Sequence, residues 1–320
     1  MTYRVLVTDE VALSGLGPLV DDDSFVVRAV ADSASDEFMA ELGSADALIL
    51  RSATRVSSDM ISRAPRLMVI GRAGVGIDNV DIPAASERGI AVFNAPEANT
   101  IAAAELTLAL MISVARKIPA AESSLRRGEW DRASFRGVEL RGKVLGLIGA
   151  GRIGSEVAVR GRAFGMEVVA CDPYLSRARA DELRVEMVDL DEILERADFV
   201  SIHVPLTAET RGILGTKALE QMKPTAYLVN ASRGGVVDEV ALAAALHSGD
   251  ISGAALDVYE SEPLAHDSPL RGAPNLVLTP HLGASTAEAQ LGVATVVAEK
   301  IRILLQTGSF TDAVNAADLG

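Results

Sequence analysis

The stretch KVLGLIGAGRIGSEVA, residues 143–158, constrains the fold of this chain more than any other. An apolar run at 144–148 leads into Gly149-Ala150-Gly151-Arg152-Ile153-Gly154, and a helical pattern follows. Strand, glycine turn and helix in that order predict the opening βαβ unit of a dinucleotide-binding sheet. Gly149 permits the tight turn, Gly151 lets a pyrophosphate approach the backbone, and Gly154 lets the helix pack on its strand. Arg152 and Ile153 fall in the first helical turn, where free N–H groups attract an anion. Glycines alone could serve an ordinary turn, so the next strand matters. It ends at Asp172, close to the distance expected for an acid that bonds the adenosine ribose. A carboxylate there repels a 2′-phosphate, so NAD is expected over NADP. Arg177 and Arg179 nearby soften that preference.

Around this unit the chain alternates short β-branched runs with helical segments. Strands are expected at 4–8, 25–30, 47–50, 67–71 and 90–93, with helices at 35–42 and 57–64 between them. A helix at 100–117, apolar almost all round, should be buried against more than one surface. A polar, irregular arm follows at 126–143. The alternation then restarts, with strands at 144–148, 167–171, 199–203, 226–230, 253–258 and 276–278. Helices fall at 152–164, 189–196, 217–222 and 238–248, and a last one at 287–305. This pattern predicts an α/β chain of two doubly wound parallel-sheet domains, Rossmann-like and flavodoxin-like. The expected division is 1–98 plus 286–320 for one domain and 99–285 for the nucleotide-binding one.

Charge and composition exclude several function classes. A formal net charge of -14 argues against non-specific nucleic-acid binding, which needs clustered Lys and Arg. It leaves room for an anionic small molecule, because a few arginines can dominate one crevice. The single cysteine, Cys171, allows neither an internal disulfide framework nor a thiolate zinc site, and no metal is expected. The N-terminal MTYRVLVTDE lacks a secretory pattern, and the most apolar stretch, 101–114, is too short and too polar for a membrane span. A cytoplasmic protein without membrane or nucleic-acid partners is the expectation.

Polar residues then recur at predicted strand ends. Arg233 lies in NASRGGVVDE, Asp257 and Glu262 in LDVYESEP, and His281 in LTPHLGAST. Ligands of open α/β sheets bind outside the carboxyl ends of the strands, so these residues can converge. They match the needs of hydroxy-acid dehydrogenation. A histidine suits the base for the hydroxyl proton. A carboxylate on its other nitrogen fixes the tautomer. An arginine grips a carboxylate through two parallel hydrogen bonds. Each also has a plain reading: His281 as a strand cap, Arg233 as a solvated turn residue, Glu262 as a surface charge. His203, at another strand end before Pro205, is a competing base and reads as a cofactor-lining residue. His247 and His266 look solvated.

The stretches ILRSATRV, VIGRAGVGIDNVD, NAPEANTIAAAELTLALM, GLIGAGRIG, NASRGGVVDE, LDVYESEP and LTPHLGASTAEAQ together span about Leu48 to Gln290. As a set they resemble the D-isomer-specific 2-hydroxyacid dehydrogenase family, and within it the phosphoglycerate dehydrogenase branch. The resemblance implies His281 as acid/base, Glu262 as its partner, Arg233 as the carboxylate and carbonyl anchor, and Asp257 as holder of the nicotinamide carboxamide. It adds Thr210, Ala231, Ser232 and Gly283 to the expected NAD contacts. It implies a discontinuous first domain and an active site in the cleft between domains. The backbone of Gly74-Val75-Gly76 would cradle the substrate carboxylate, a use that suits glycine-rich N–H groups. Arg51 with Ser52, Arg72, Asn99 and Arg132 complete the expected substrate site, with Arg132 reaching across from a neighbouring subunit. Arg51 and Arg72 each follow an expected strand, and three arginines suit a phosphate dianion.

The implied reaction is NAD-dependent oxidation of D-3-phosphoglycerate to 3-phosphohydroxypyruvate, a step toward serine. Alternatives are hydroxypyruvate or glyoxylate reduction, oxidation of a hydroxyphosphonate, and, in another class, an NAD-binding corepressor-like scaffold. The helix at 100–117 and the arm at 126–143 resemble the family's dimer interface, so a homodimer at least is expected. The sequence ends at FTDAVNAADLG, without the serine-binding domains many phosphoglycerate dehydrogenases carry, so feedback inhibition by serine is expected to be absent.

Overall fold

The computed structural model describes residues 2–319. The chain forms two compact units, residues 1–99 with 284–320, and residues 100–283.

The first unit is built on five strands: β1 (Tyr3–Val7), β2 (Phe25–Ala29), β3 (Ala47–Leu50), β4 (Val69–Arg72) and β5 (Ala91–Asn94). All pair in parallel in the order β2-β1-β3-β4-β5, the order of flavodoxin-like sheets. Short helices α1 (Gly17–Val20), α2 (Asp36–Leu42), α3 (Ser58–Ser62) and α4 (Ile82–Glu87) connect them. Ser35, Ser57 and Asp81 cap α2, α3 and α4, each accepting a bond from an N–H of the first turn. β3 reads Ala-Leu-Ile-Leu with every residue buried, as a strand covered on both faces must. Phe38, Leu42, Ile61 and Ala85 cover one face of the sheet.

The second unit holds a seven-stranded parallel sheet. Its strands are β6 (Val144–Ile148), β7 (Glu167–Cys171), β8 (Glu186–Met187), β9 (Phe199–Ile202), β10 (Tyr227–Asn230), β11 (Gly253–Leu256) and β12 (Leu276–Leu278). The order is β12-β11-β10-β9-β6-β7-β8, so strand order reverses between β6 and β9. Helices α5 (Thr100–Ala115), α6 (Ile118–Arg126), α7 (Arg152–Ala163), α8 (Arg177–Leu183), α9 (Leu190–Arg196), α10 (Thr216–Gln221) and α11 (Glu239–Ser248) complete the unit. α5 packs on α7, β10 and β11 and buries Ala103, Ala104, Leu108, Leu110, Met111 and Val114.

The long helix α12 (Ala287–Thr307) packs on the first unit's sheet, burying Val293, Val297, Ile301 and Leu305. Four differences from the sequence reading are local, and three have a visible cause. The helix from Thr100 stops at Ala115 because Lys117 adopts a left-handed φ of 54°, and α6 starts beyond it with Pro119 in its first turn. β8 is two exposed residues with no apolar pattern to announce it. α8 is mostly polar and rests on its Ser176 cap. Arg72 is the last residue of β4 rather than the first beyond it. Among the described residues no helix is long and apolar enough to cross a membrane.

Candidate active site

The glycine loop joins β6 to α7 at the point where the second sheet reverses its order. Such a point is where doubly wound sheets open a crevice for ligands. Gly149 has a φ of 93°, and a Cβ on it would lie 2.7 Å from the His203 carbonyl. A Cβ on Gly154 would lie 2.3 Å from the Gly149 carbonyl, so no side chain fits at either position. Gly151 faces open space and caps α7, whose first residues are Arg152 and Ile153. Asp172 follows β7 and accepts the Ala150 N–H at 2.7 Å and the Tyr174 N–H at 2.8 Å. The acid therefore stands against the glycine loop. Arg179 is engaged with Glu182 at 2.8 Å.

His203 follows β9, and its Nε2 lies 2.9 Å from the Ser201 hydroxyl. Burial pulls its pKa down to about 4, so it stays neutral at physiological pH. An imidazole this weakly basic, with Nε2 engaged by Ser201, fits a lining role better than that of a general base. Beyond it the Thr210 hydroxyl bonds the Pro205 carbonyl at 2.6 Å and closes the 205–210 turn. Ser232 turns back on Asn230, bonding its Oδ1 through both N–H and hydroxyl.

The residues after β10, β11 and β12 meet. A Cβ on Gly234 would lie 1.8 Å from the Tyr259 carbonyl, which brings the loop carrying Arg233 against the turn carrying Glu262. Glu262 Oε1 accepts the Tyr259 N–H at 3.1 Å, and Oε2 lies 2.7 Å from His281 Nδ1. Burial raises the Glu262 pKa. The His281 hydrogen bond and charge, the Tyr259 N–H and the Arg233 charge outweigh it and hold the carboxyl below its ordinary range. Glu262 is therefore a carboxylate at neutral pH. Its partner nitrogen carries the hydrogen, which leaves His281 Nε2 as the acceptor. Both side chains remain open, at 44% and 37% exposure, as reacting groups must.

His281 itself has a left-handed φ of 54°. For a residue with a Cβ this conformation persists only where the surroundings impose it. Here they do so through Asp257, which is fully buried. Asp257 Oδ1 accepts the Thr279 hydroxyl at 2.6 Å and the Leu282 N–H at 2.8 Å, and Oδ2 accepts the Gly283 N–H at 2.9 Å. The His281 N–H bonds the Asp257 carbonyl at 2.9 Å. The Tyr259 hydroxyl adds a 2.7 Å bond to the Thr279 carbonyl. Gly283 packs near Asp257, Ala103 and Ala231. Asp257 in this structure thus bonds the loop that presents His281. Sequence reasoning missed Tyr259 and Thr279 in this support, since neither residue type announces such a role.

In the first unit, Arg51 follows β3 and Arg72 ends β4. The Arg51 N–H bonds Asp9 Oδ2 at 2.7 Å, and its Nη1 donates to the Glu10 carbonyl at 3.1 Å. Ser52 is exposed beside it. Gly74, Val75 and Gly76 follow β4 and are held by Asn94, whose Nδ2 bonds the Val75 carbonyl at 2.6 Å. The Oδ1 of Asn99 is buried and has no hydrogen-bond partner. Arg132 is exposed on the arm that follows α6, as are His247 and His266 elsewhere.

Comparison with known proteins gives the family. Residues 108–283 match the model of the D-isomer specific 2-hydroxyacid dehydrogenase NAD binding domain. The chain is 46% identical, over 99% of its length, to a D-3-phosphoglycerate dehydrogenase of Methanocaldococcus jannaschii, and covers 60% of that protein. It is 49% identical, over 97% of its length, to the D-3-phosphoglycerate dehydrogenase of Mycobacterium tuberculosis, covering 58% of it. The chain thus spans less than two thirds of the length of these curated relatives. A crystal structure of a protein from Thermus thermophilus superposes with a TM-score of 0.89 at 36% identity, covering 98% of this chain and 100% of that one. By the family model, these relatives and the shared fold, this chain belongs to the D-isomer specific 2-hydroxyacid dehydrogenase family and carries its NAD-binding domain.

Proposed function

We propose that the protein oxidises D-3-phosphoglycerate to 3-phosphohydroxypyruvate with NAD. The observation that carries the chemistry is the pair formed by His281 Nδ1 and the Glu262 carboxylate at 2.7 Å. The likeness to D-3-phosphoglycerate dehydrogenases at 46–49% identity supports the choice of substrate.

The residues of the second unit fit the dinucleotide. Gly151 leaves the start of α7 open, and Asp172 stands beside the glycine loop to take the ribose hydroxyls. When bound, NAD supplies the acceptor for the hydride that leaves the substrate C2. His281 Nε2 takes the proton of the C2 hydroxyl, and Glu262 stabilises the imidazolium that forms. Arg233 binds the substrate carboxylate and the developing carbonyl oxygen. In the first unit, the backbone of Gly74-Val75-Gly76 suits a substrate carboxylate. Arg51 and Arg72 serve the phosphate, and Asn99 is assigned to the substrate as well. Arg132 contributes from a second copy of the chain, in a homo-oligomer formed through the α5–α6 region.

A substrate panel tests the reading directly. Phosphoglycerate, glycerate, lactate and glycolate would be compared by NADH formation, with the keto acids in reverse. Phosphoglycerate is expected to give the highest kcat/KM. A preference for glycerate or glycolate would overturn the substrate assignment and leave the dehydrogenase chemistry standing. No turnover of any hydroxy acid would remove both.

A further inference from the structure

We infer that Asp9 and Asn79 are positioning residues that hold the loop of Arg51 rigid at the reversal point of the first sheet, ready for a dianionic substrate group. The inference rests on the reading of Arg51 as a phosphate contact. It begins, however, with the topology. In the order β2-β1-β3-β4-β5 the chain leaves β1 toward one edge and leaves β3 toward the other. The loops after these two neighbouring strands diverge, and the gap outside their carboxyl ends is the crevice in which doubly wound sheets take ligands. Asp9 lies beyond β1, and Arg51 directly beyond β3.

Asp9 has a φ of 59°. This left-handed conformation is unfavourable for a residue with a Cβ unless its side chain is bonded locally. The bonds are present. The Asp9 carboxylate accepts the Arg51 N–H at 2.7 Å, the Thr54 N–H at 3.2 Å and the Thr54 hydroxyl at 2.5 Å. From the other side, Asn79 Nδ2 donates to the Arg51 carbonyl at 2.7 Å and to the Thr54 carbonyl at 2.6 Å. The Asn79 carbonyl accepts the Val56 N–H at 2.8 Å. The 51–54 turn therefore has two amides on one side chain and two carbonyls on another. These side chains come from the loops after β1 and β4, and Thr54 is buried at 1% exposure.

The charge is arranged to match. The negative charge of Asp9 is spent on two backbone amides and a hydroxyl, not on the guanidinium. The Arg51 guanidinium rests on a neutral acceptor, the Glu10 carbonyl, at 3.1 Å. An incoming anion can replace that acceptor without breaking an ion pair. A short Arg-Ser-Ala-Thr turn left to itself would have to be ordered when ligand binds. Fixing it beforehand removes that cost from binding.

Steady-state kinetics of the full chain with phosphoglycerate and NAD would test the clamp. Arg51→Ala serves as the reference variant. Asp9→Gly keeps the left-handed backbone without strain but removes the carboxylate. Asn79→Ala removes both carbonyl bonds. Both variants are expected to raise KM for phosphoglycerate by roughly tenfold, while kcat and KM for NAD stay within about twofold. Asp9→Asn, which tolerates the same φ and keeps an acceptor oxygen, is expected to recover most of the loss. If Arg51→Ala raises KM and the other two do not, the clamp is refuted and the reading of Arg51 survives. If the clamp variants lower kcat and raise both KM values together, the residues are merely structural and the inference is likewise refuted. If Arg51→Ala leaves KM unchanged, the phosphate reading itself fails.

Discussion

At the scale of single residues, the proposed chemistry turns on a histidine held in an unfavourable backbone conformation. His281 is left-handed because Asp257 binds the two amides that follow it and the Thr279 hydroxyl that precedes it. The 2.7 Å contact between His281 Nδ1 and Glu262 orients the ring and its Nε2. His281→Ala is expected to lower kcat by roughly 10²–10⁴ with a small change in KM. Glu262→Gln keeps the shape but removes the charge, so a smaller loss in the same parameter is expected. The Glu262 pKa lies below its ordinary range, so the carboxylate half of the pair is formed throughout neutral pH. It is lost only as pH falls through that lowered value. Stopped-flow and steady-state rates at pH 7–9 check both variants, and near-normal kcat in His281→Ala would remove it as the base. That the arginine, glutamate and histidine lie beyond the ends of β10, β11 and β12 was legible in the sequence, because strand ends can be read from apolar runs. The left-handed φ values of His281 and Asp9 were not, since they arise from bonds to residues tens of positions away.

At the scale of elements, the edges of the first sheet show how the chain finishes its backbone accounting. β2 is one edge and carries Arg28, which pairs with Glu37 and Glu41. A charged edge discourages strand addition. β5 is the other edge, and the segment after α12 covers it. The Val314 N–H bonds the Val92 carbonyl at 2.7 Å. Asn315, buried at 2% exposure, accepts the Val92 N–H at 2.9 Å and donates to the Ile90 carbonyl at 3.0 Å and the Ser86 hydroxyl. Its amide thus imitates a missing strand. Asn315→Ala would leave a buried N–H and a buried carbonyl unpaired, at a cost of about 2 kcal/mol. A lowered urea midpoint is the expected result, and a change under about 0.5 kcal/mol would show that water replaces the amide there. The strands and long helices were readable from apolar runs and periodicity. β8 and α8 were not, because an exposed two-residue strand and a polar seven-residue helix bury too little to leave a pattern.

At the scale of the whole molecule, α6 and the arm after it leave Ile118, Leu125 and Trp130 exposed, Trp130 at 81%. Large exposed apolar side chains in one region mark association surfaces. A particle of at least two chains is therefore expected in light scattering at micromolar concentration, with Trp130→Glu weakening it. A fully active monomer would refute the proposed oligomer and the role of Arg132 together. By itself the sequence determined the α/β class, the glycine loop and the family resemblance, and it named the residues proposed for the chemistry. These depend on local spacing: strand, turn and helix are contiguous, and an apolar period needs no distant partner. Only the tertiary structure decided how the residues are held. Asp257 turned inward to support the His281 loop, Asp9 and Asn79 closed on Arg51, and Asn315 completed a sheet edge. Each of these is a hydrogen bond between groups brought together by the order of strands in a sheet, and a linear pattern carries no record of which loops that order makes neighbours.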